Sequence, residues 1–172
     1  MKYNYLKEKN GFSMVELLVS IFLLSFGILS VYGAFSSLVI QEKNVSNKFI
    51  GIYIAKEGME IARNIRDNNF VNGEKWDTGL SGCDNGCQAD YKTGTAAEAP
   101  EDKLKKYNDK NYLAVDTDGF YSYGAGSNTI FKRKITITSQ GQDKVDINVQ
   151  VFWSSGGRDF SFTTEGSLYN WY

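Results

Sequence analysis

The side chains able to do chemistry are few and unevenly placed. Histidine is absent from the sequence, which excludes a Ser-His-Asp triad, a histidine general base and the usual histidine-containing zinc sites. The tightest constellation is Cys83-Asp84-Asn85-Gly86-Cys87, which holds both cysteines of the chain. Two cysteines cannot complete a four-ligand zinc site, and a redox dithiol usually has two intervening residues rather than three. A disulfide closing a small Asn-Gly loop is the reading for an extracytoplasmic compartment. Two free thiols, or a two-thiolate metal contact completed from elsewhere, are the alternatives. Asp116, Asp118 and Gly119, with Asp109 nearby, could offer oxygens to Ca²⁺, but no Glu follows at the twelfth loop position, so a solvated turn is the better reading. Lys103, Lys105, Lys106 and Lys110 lie near Tyr107 and Tyr112, and Lys132, Arg133 and Lys134 form a second basic group. Basic and aromatic surfaces can bind DNA. Glu101, Asp102 and Asp109 dilute the first group, and a solvated face is preferred to a DNA-binding one. The remaining candidate is Glu16, the only residue charged at neutral pH in the run Phe12–Ile40.

The elements that position these residues follow from periodicity. Phe12–Ile40 is apolar almost throughout, and as a helix it would reach roughly 43 Å, against roughly 30 Å for a bilayer core. A carboxylate within such a span costs at least about 2.5–3.5 kcal/mol, so Glu16 is expected to have a function. Lys2, Lys7 and Lys9 precede the run, which places the N-terminus on the cytoplasmic side and residues after about 41 outside. A cleaved secretory signal would have an apolar core of only about 7–15 residues, and Val31-Tyr32-Gly33 is a weak cut site. A plain signal anchor is the other alternative. The mean hydropathy of the chain is negative despite this run, so the remainder is polar, as suits a soluble head.

From Gln41 to about Asn69 the spacing predicts an amphipathic helix continuing the first. Val45, Phe49, Ile52 and Met59 recur at three-to-four spacing, as do Ile50, Ile54, Ile61 and Ile65, with Lys56, Glu60, Arg63 and Asp67 as a charged stripe. The wide apolar arc can carry the head with one part and leave another for neighbours. Gly27, Gly33, Gly51 and Gly58 each weaken such a helix by about 1 kcal/mol relative to Ala. Asn72-Gly73 marks the end of the helical pattern. Residues 70–129 read as an irregular region, with Thr93–Pro100 as its mobile tip and short strands at Tyr112–Val115 and Phe120–Tyr123. Residues 130–172 read as an antiparallel meander of Phe131–Thr138, Val145–Trp153 and Asp159–Glu165, packed on the helix, with Leu168, Tyr169 and Trp171 folding back onto it. Arg133 falls on the apolar face of the first strand, which implies either a carboxylate partner or an edge strand.

The string Gly11-Phe12-Ser13-Met14-Val15-Glu16-Leu17-Leu18-Val19 resembles the cleavage and methylation signal of type IV prepilins and type II secretion pseudopilins. Leu24-Ser25-Phe26-Gly27-Ile28-Leu29 further resembles the minor pilins. The resemblance covers residues 1–70 best. It implies a leader, residues 1–11, cut after Gly11 by a prepilin peptidase; N-methylation of Phe12; and a role for Glu16 in filament assembly. Residues 12–40 would be the transmembrane and assembly helix, and 41–69 its continuation into the head. The pilins that share the signal often carry a Pro in the apolar segment, where this chain has Gly33, and many close their C-terminal region with a disulfide, whereas both cysteines here precede the sheet. The expectation is an α+β pilin-like fold and a structural subunit, most like a minor pilin, rather than an enzyme. It would sit in the inner membrane and then in a surface filament, with no cofactor. Its partners would be other pilin subunits, the peptidase, the assembly platform and, before assembly, lipid. A type II secretion pseudopilin, a major pilin and a pilus-tip adhesin or DNA-binding pilin are the alternatives.

Overall fold

The computed structural model describes residues 11–94 and 104–171. Its architecture is α+β: one long N-terminal helix and antiparallel sheets. The helix, α1, runs Met14–Asn72. Contacts divide the chain into two compact units, Met1–Asn44 and Val45–Tyr172.

In the first unit α1 is an apolar rod. Ser13 stands at the N-cap position with Glu16 three residues on, the pattern of a capping box, and the Leu17 amide bonds the Ser13 carbonyl at 3.1 Å. Several hydroxyls inside the run are satisfied within the helix. Ser20, Ser25 and Ser30 each donate to the carbonyl four residues back, at 2.8–2.9 Å. Leu17, Phe22, Ile28, Tyr32 and Leu38 are all more than half exposed around the rod.

In the second unit α1 packs one face. Ile54, Ala55, Ile61, Ala62 and Ile65 are buried, whereas Val45, Phe49 and Tyr53 are exposed. So the arc through Ile54 and Ile61 enters the core, whereas the arc of Val45, Phe49, Ile52 and Met59 divides: Val45 and Phe49 stay exposed and Met59 packs against the core. The helix stops at Gly73, whose φ of 68° only glycine adopts freely. The Glu74 amide closes the end onto the Asn69 carbonyl at 2.9 Å. Asn69, itself buried, donates to the carbonyls of Trp76 and Thr78, fixing the chain reversal.

Among the described residues eight strands follow: β1 Cys87–Gln88, β2 Lys105–Lys106, β3 Ala114–Val115, β4 Tyr121–Ser122, β5 Ser127–Asn128, β6 Phe131–Ser139, β7 Lys144–Ser155 and β8 Arg158–Tyr169. The main sheet has the order β2-β1-β6-β7-β8, and a small one the order β4-β3-β5. All pairs are antiparallel. β6 and β7 alternate buried and part-exposed residues, the period-two pattern of a half-buried sheet. Their buried side chains, among them Ile135, Ile147, Val149 and Val151, form one core with the helix.

Three details differ from the sequence reading. Two short strands within residues 70–129 join the main sheet, so it has five strands rather than three; single pairs such as Cys87↔Ile135 carry no periodicity to read. The last strand runs on to Tyr169, so Leu168 and Tyr169 are part of it and do not fold back. And Arg133 is not at an edge, since β6 lies between β1 and β7. Of the expected mobile tip, Thr93 and Gly94 are described and 95–100 lie outside the described residues, as do Lys2, Lys7 and Lys9 of the leader and Glu101, Asp102 and Lys103.

Candidate functional site

The site begins at the start of α1. Gly11, Phe12 and Ser13 precede the first helical turn, and Phe12 is 80% exposed. A junction in accessible backbone outside the helix is what an endopeptidase requires. Glu16 falls in the first turn, where the helix dipole favours a carboxylate. Beyond it, α1 is long and apolar enough to cross a membrane, and none of its most apolar stretch is buried by the chain itself. Such a surface, of about twenty apolar residues or more, is stable only in lipid or against other apolar helices.

The second unit is held to its helix by a buried charge. Arg133, fully buried, donates from Nη1 to the Ile54 carbonyl at 3.0 Å and from Nη2 to the Ala89 carbonyl. Its Nη1 lies 3.3 Å from Glu57 Oε2. Burial pushes the Glu57 carboxyl up, against the pull of Arg133. This settles the alternative left open for Arg133 in favour of a carboxylate partner. Glu57 itself was not singled out, although it sits three residues after Ile54 and four before Ile61, on the packed face. Above Arg133, a Cβ on Gly58 would lie 2.8 Å from Val149 Cγ1 and 2.9 Å from Arg133 Cδ, and one on Gly51 would lie 2.9 Å from the Trp153 ring. These two glycines let helix and sheet approach; Gly27 and Gly33 have open space around them.

The remaining candidates are placed as follows. Cys83 and Cys87 are joined, with Cα atoms 5.2 Å apart, and both are buried. The Gly86 amide bonds the Cys83 carbonyl at 2.9 Å, and Gly86 turns with φ 97°. Asp116 accepts from the amides of Asp118 and Phe120 and from the Tyr91 hydroxyl. Those donors, Phe120 first, hold its carboxyl below the usual range. It is the anchor of a turn, and among the described residues no group of three or more His, Cys, Asp or Glu is placed to hold a metal. Lys132 donates to the Asp109 carbonyl at 2.8 Å and lies over the Tyr112 ring. Lys134 lies over Tyr107. The basic group on β6 is thus spread over local partners, and Lys105 and Lys106 are exposed on β2.

No curated protein and no solved structure matches the chain. One family does: the prokaryotic N-terminal methylation motif matches residues 6–32, the stretch that holds Gly11, Phe12, Glu16 and the exposed start of α1. With the helix and the sheets that follow, the motif supports a type IV pilin- or pseudopilin-like protein, a structural subunit that assembles with other pilins after prepilin peptidase processing, and it fits anchoring in the inner membrane and then a filament. Residues 6–32 carry the type IV prepilin and pseudopilin signal.

Proposed function

We propose that this chain is a minor pilin of a type IV pilus or related filament. The observation that carries the reading is the first unit of α1: apolar side chains exposed around the whole rod, the Ser20, Ser25 and Ser30 hydroxyls bonded within the helix, and a single carboxylate in the first turn. Lys2, Lys7 and Lys9 hold the leader on the cytoplasmic side, a peptidase cuts after Gly11, and Phe12 becomes the methylated N-terminus. The new amine is cationic at neutral pH. In the bilayer, water and headgroups solvate both it and Glu16. When residues 12–40 leave lipid for a helical bundle, Glu16 enters apolar surroundings, and the amine of an adjacent subunit is its partner. At about 4 Å the pair gains about 4 kcal/mol at an effective dielectric of 20, before desolvation is subtracted. It therefore fixes axial register between subunits more than it adds net stability. Residues after about 41 lie outside the cell membrane, where the Cys83–Cys87 bridge persists in the exported protein.

The test is mass spectrometry and incorporation together. Filament-derived protein should begin at methylated Phe12, and recovery of Met1 in mature filaments would sink the reading. Glu16→Ala should insert and be cleaved as wild type, yet be lost from sheared filaments or stall their initiation.

A further inference from the structure

The main sheet has two unlike edges. On one side stands β2, two residues long and both lysine. A short strand bearing lysine is a standard guard against edge pairing. On the other side stands β8, twelve residues long, against about 5–6 for a typical strand. β8 contains neither lysine nor proline, and it pairs with β7 in unbroken register from Ser155↔Arg158 to Lys144↔Tyr169, with no bulge. Its charged side chains are Arg158, Asp159 and Glu165, and the lysine, proline and bulge that most often blunt an edge are missing from it.

The free edge has a defined pattern. Gly156 and Gly157, with φ 59° and 74°, make a two-residue turn closed by Ser155 and Arg158. Beyond the strand's far end the Asn170 amide bonds the Asp143 carbonyl. Bonded pairs alternate in an antiparallel ladder. So the even-numbered residues bond β7, and Asp159, Ser161, Thr163, Glu165, Ser167 and Tyr169 turn their amides and carbonyls outward. Among the described residues, no hydrogen bond from outside β7 meets the β8 backbone.

We propose that β8 is a docking edge that takes an extended strand from a different subunit of the same filament, continuing the main sheet; this rests on the filament reading above. A second copy of this chain fits poorly. Head-to-tail stacking of copies would bring β2 to β8, and two lysine residues cannot cover twelve. A two-fold β8 pair would run the residue 45–72 helical segments of two copies in opposite directions, whereas open filaments are built head to tail. The chemistry of the incoming strand follows from the two faces of β8. The half-buried rings of Phe160 and Phe162 take branched apolar side chains. On the other face Asp159 and Glu165 are the charges, tied to Ser154 and Asn148, and they take basic or hydroxyl side chains. Backbone bonds supply the affinity and the alternate side chains the specificity.

The experiment uses the full chain in cells that assemble the filament. A photo-crosslinking residue is placed at Ser161 or Thr163, with Gln150 in mid-sheet as control, and the adduct is mapped by peptide mass spectrometry. In parallel, Thr163→Pro removes an outward amide and leaves the β7 bonds intact, whereas Thr163→Val keeps the amide. Support is an adduct from Ser161 or Thr163, not from Gln150, to another mature chain that carries its own N-terminal methylation signal, together with at least a tenfold drop in filament incorporation for Thr163→Pro alone. If Thr163→Pro fails to fold, the adduct decides. An adduct between two copies of this chain, or none while the wild type enters filaments, overturns the proposal. Absence of the wild-type chain from filaments overturns the filament reading itself, and this partner with it.

Discussion

One helix, α1, carries two regions whose large aliphatic side chains meet opposite fates. Leu17, Ile28 and Leu38 are 55%, 61% and 60% exposed, whereas Ile54, Ile61 and Ile65 are 1%, 4% and 8% exposed. What separates them is the residues between. In the first region the gaps are filled by serine, glycine and more apolar side chains, so no face is distinguished. In the second, Ala55, Gly58 and Ala62 lie beside the isoleucines, and Lys56, Glu60, Arg63 and Asp67 occupy the opposite side. Small residues let a sheet approach one face, and charges keep the other in water. Apolar content alone therefore does not say whether a helix is buried by its own chain. The arrangement of small and charged residues does.

The comparison has a convenient reporter, because Trp76, Trp153 and Trp171 all belong to the second unit. Tryptophan fluorescence of the full chain in detergent follows that unit alone. The largest effect is expected from Arg133→Ala, which strips the Ile54 and Ala89 carbonyls and Glu57 of their shared donor. Breaking a buried pair costs about 3–5 kcal/mol, so the urea midpoint should fall steeply while membrane insertion is unchanged. Glu16→Ala should leave that midpoint alone and act on assembly. A shared shift in both variants would break the division between the two regions. Next comes the Cys83–Cys87 bridge. Replacing both cysteines by serine should cost about 2 kcal/mol on the loop-entropy estimate for so short a loop, read in the same melt. Alkylation of the exported wild type without reductant should label neither cysteine.

Much of this was legible in the sequence for a physical reason. Long-period signals survive without a structure: the apolar run, the arc through Ile54 and Ile61, and the alternation of β6 and β7 all repeat over several residues. The N-terminal signal was legible because its parts are adjacent in the chain. What could not be read were contacts made once. β1 meets β6 through a single pair, Cys87↔Ile135. Arg133 and Glu57 are far apart in sequence, so the spacing left a carboxylate partner and an edge strand both open and named no partner. Gly51 and Gly58 read as weak points of a helix like Gly27 and Gly33, since nothing local shows that Trp153 and Val149 lie against them.

That last distinction can be measured. Gly58→Ala gains about 1 kcal/mol of helix propensity and meets Val149 and Arg133, where overpacking costs about 1–3 kcal/mol. A net loss of stability is expected. Gly33→Ala meets nothing, and the tryptophan signal should not move. Equal behaviour of the two would mean that close approach at Gly58 is unimportant.

The smallest effect concerns the ionisation of Glu57, and it tests which force wins at the buried pair. The groups that face Glu57 are Arg133, whose charge favours the carboxylate, and Asp90 with Tyr121, which oppose it or are raised by it. Burial outweighs Arg133, and the carboxyl is pushed up. A raised carboxyl contributes stability below its ordinary value and loses that contribution as pH rises through its folded value. Asp116 and Asp146 are lowered, so their contributions run the other way, present above the ordinary value and lost as pH falls. The wild-type curve mixes both signs, but the difference from Glu57→Gln isolates one. Glutamine resembles the protonated acid, so the variant should start level with the wild type near about pH 4 and gain on it toward about pH 7. If instead it loses ground toward neutrality, the 3.3 Å contact with Arg133 outweighs desolvation, and the pair holds helix to sheet by its charge rather than by the Arg133 hydrogen bonds to carbonyls.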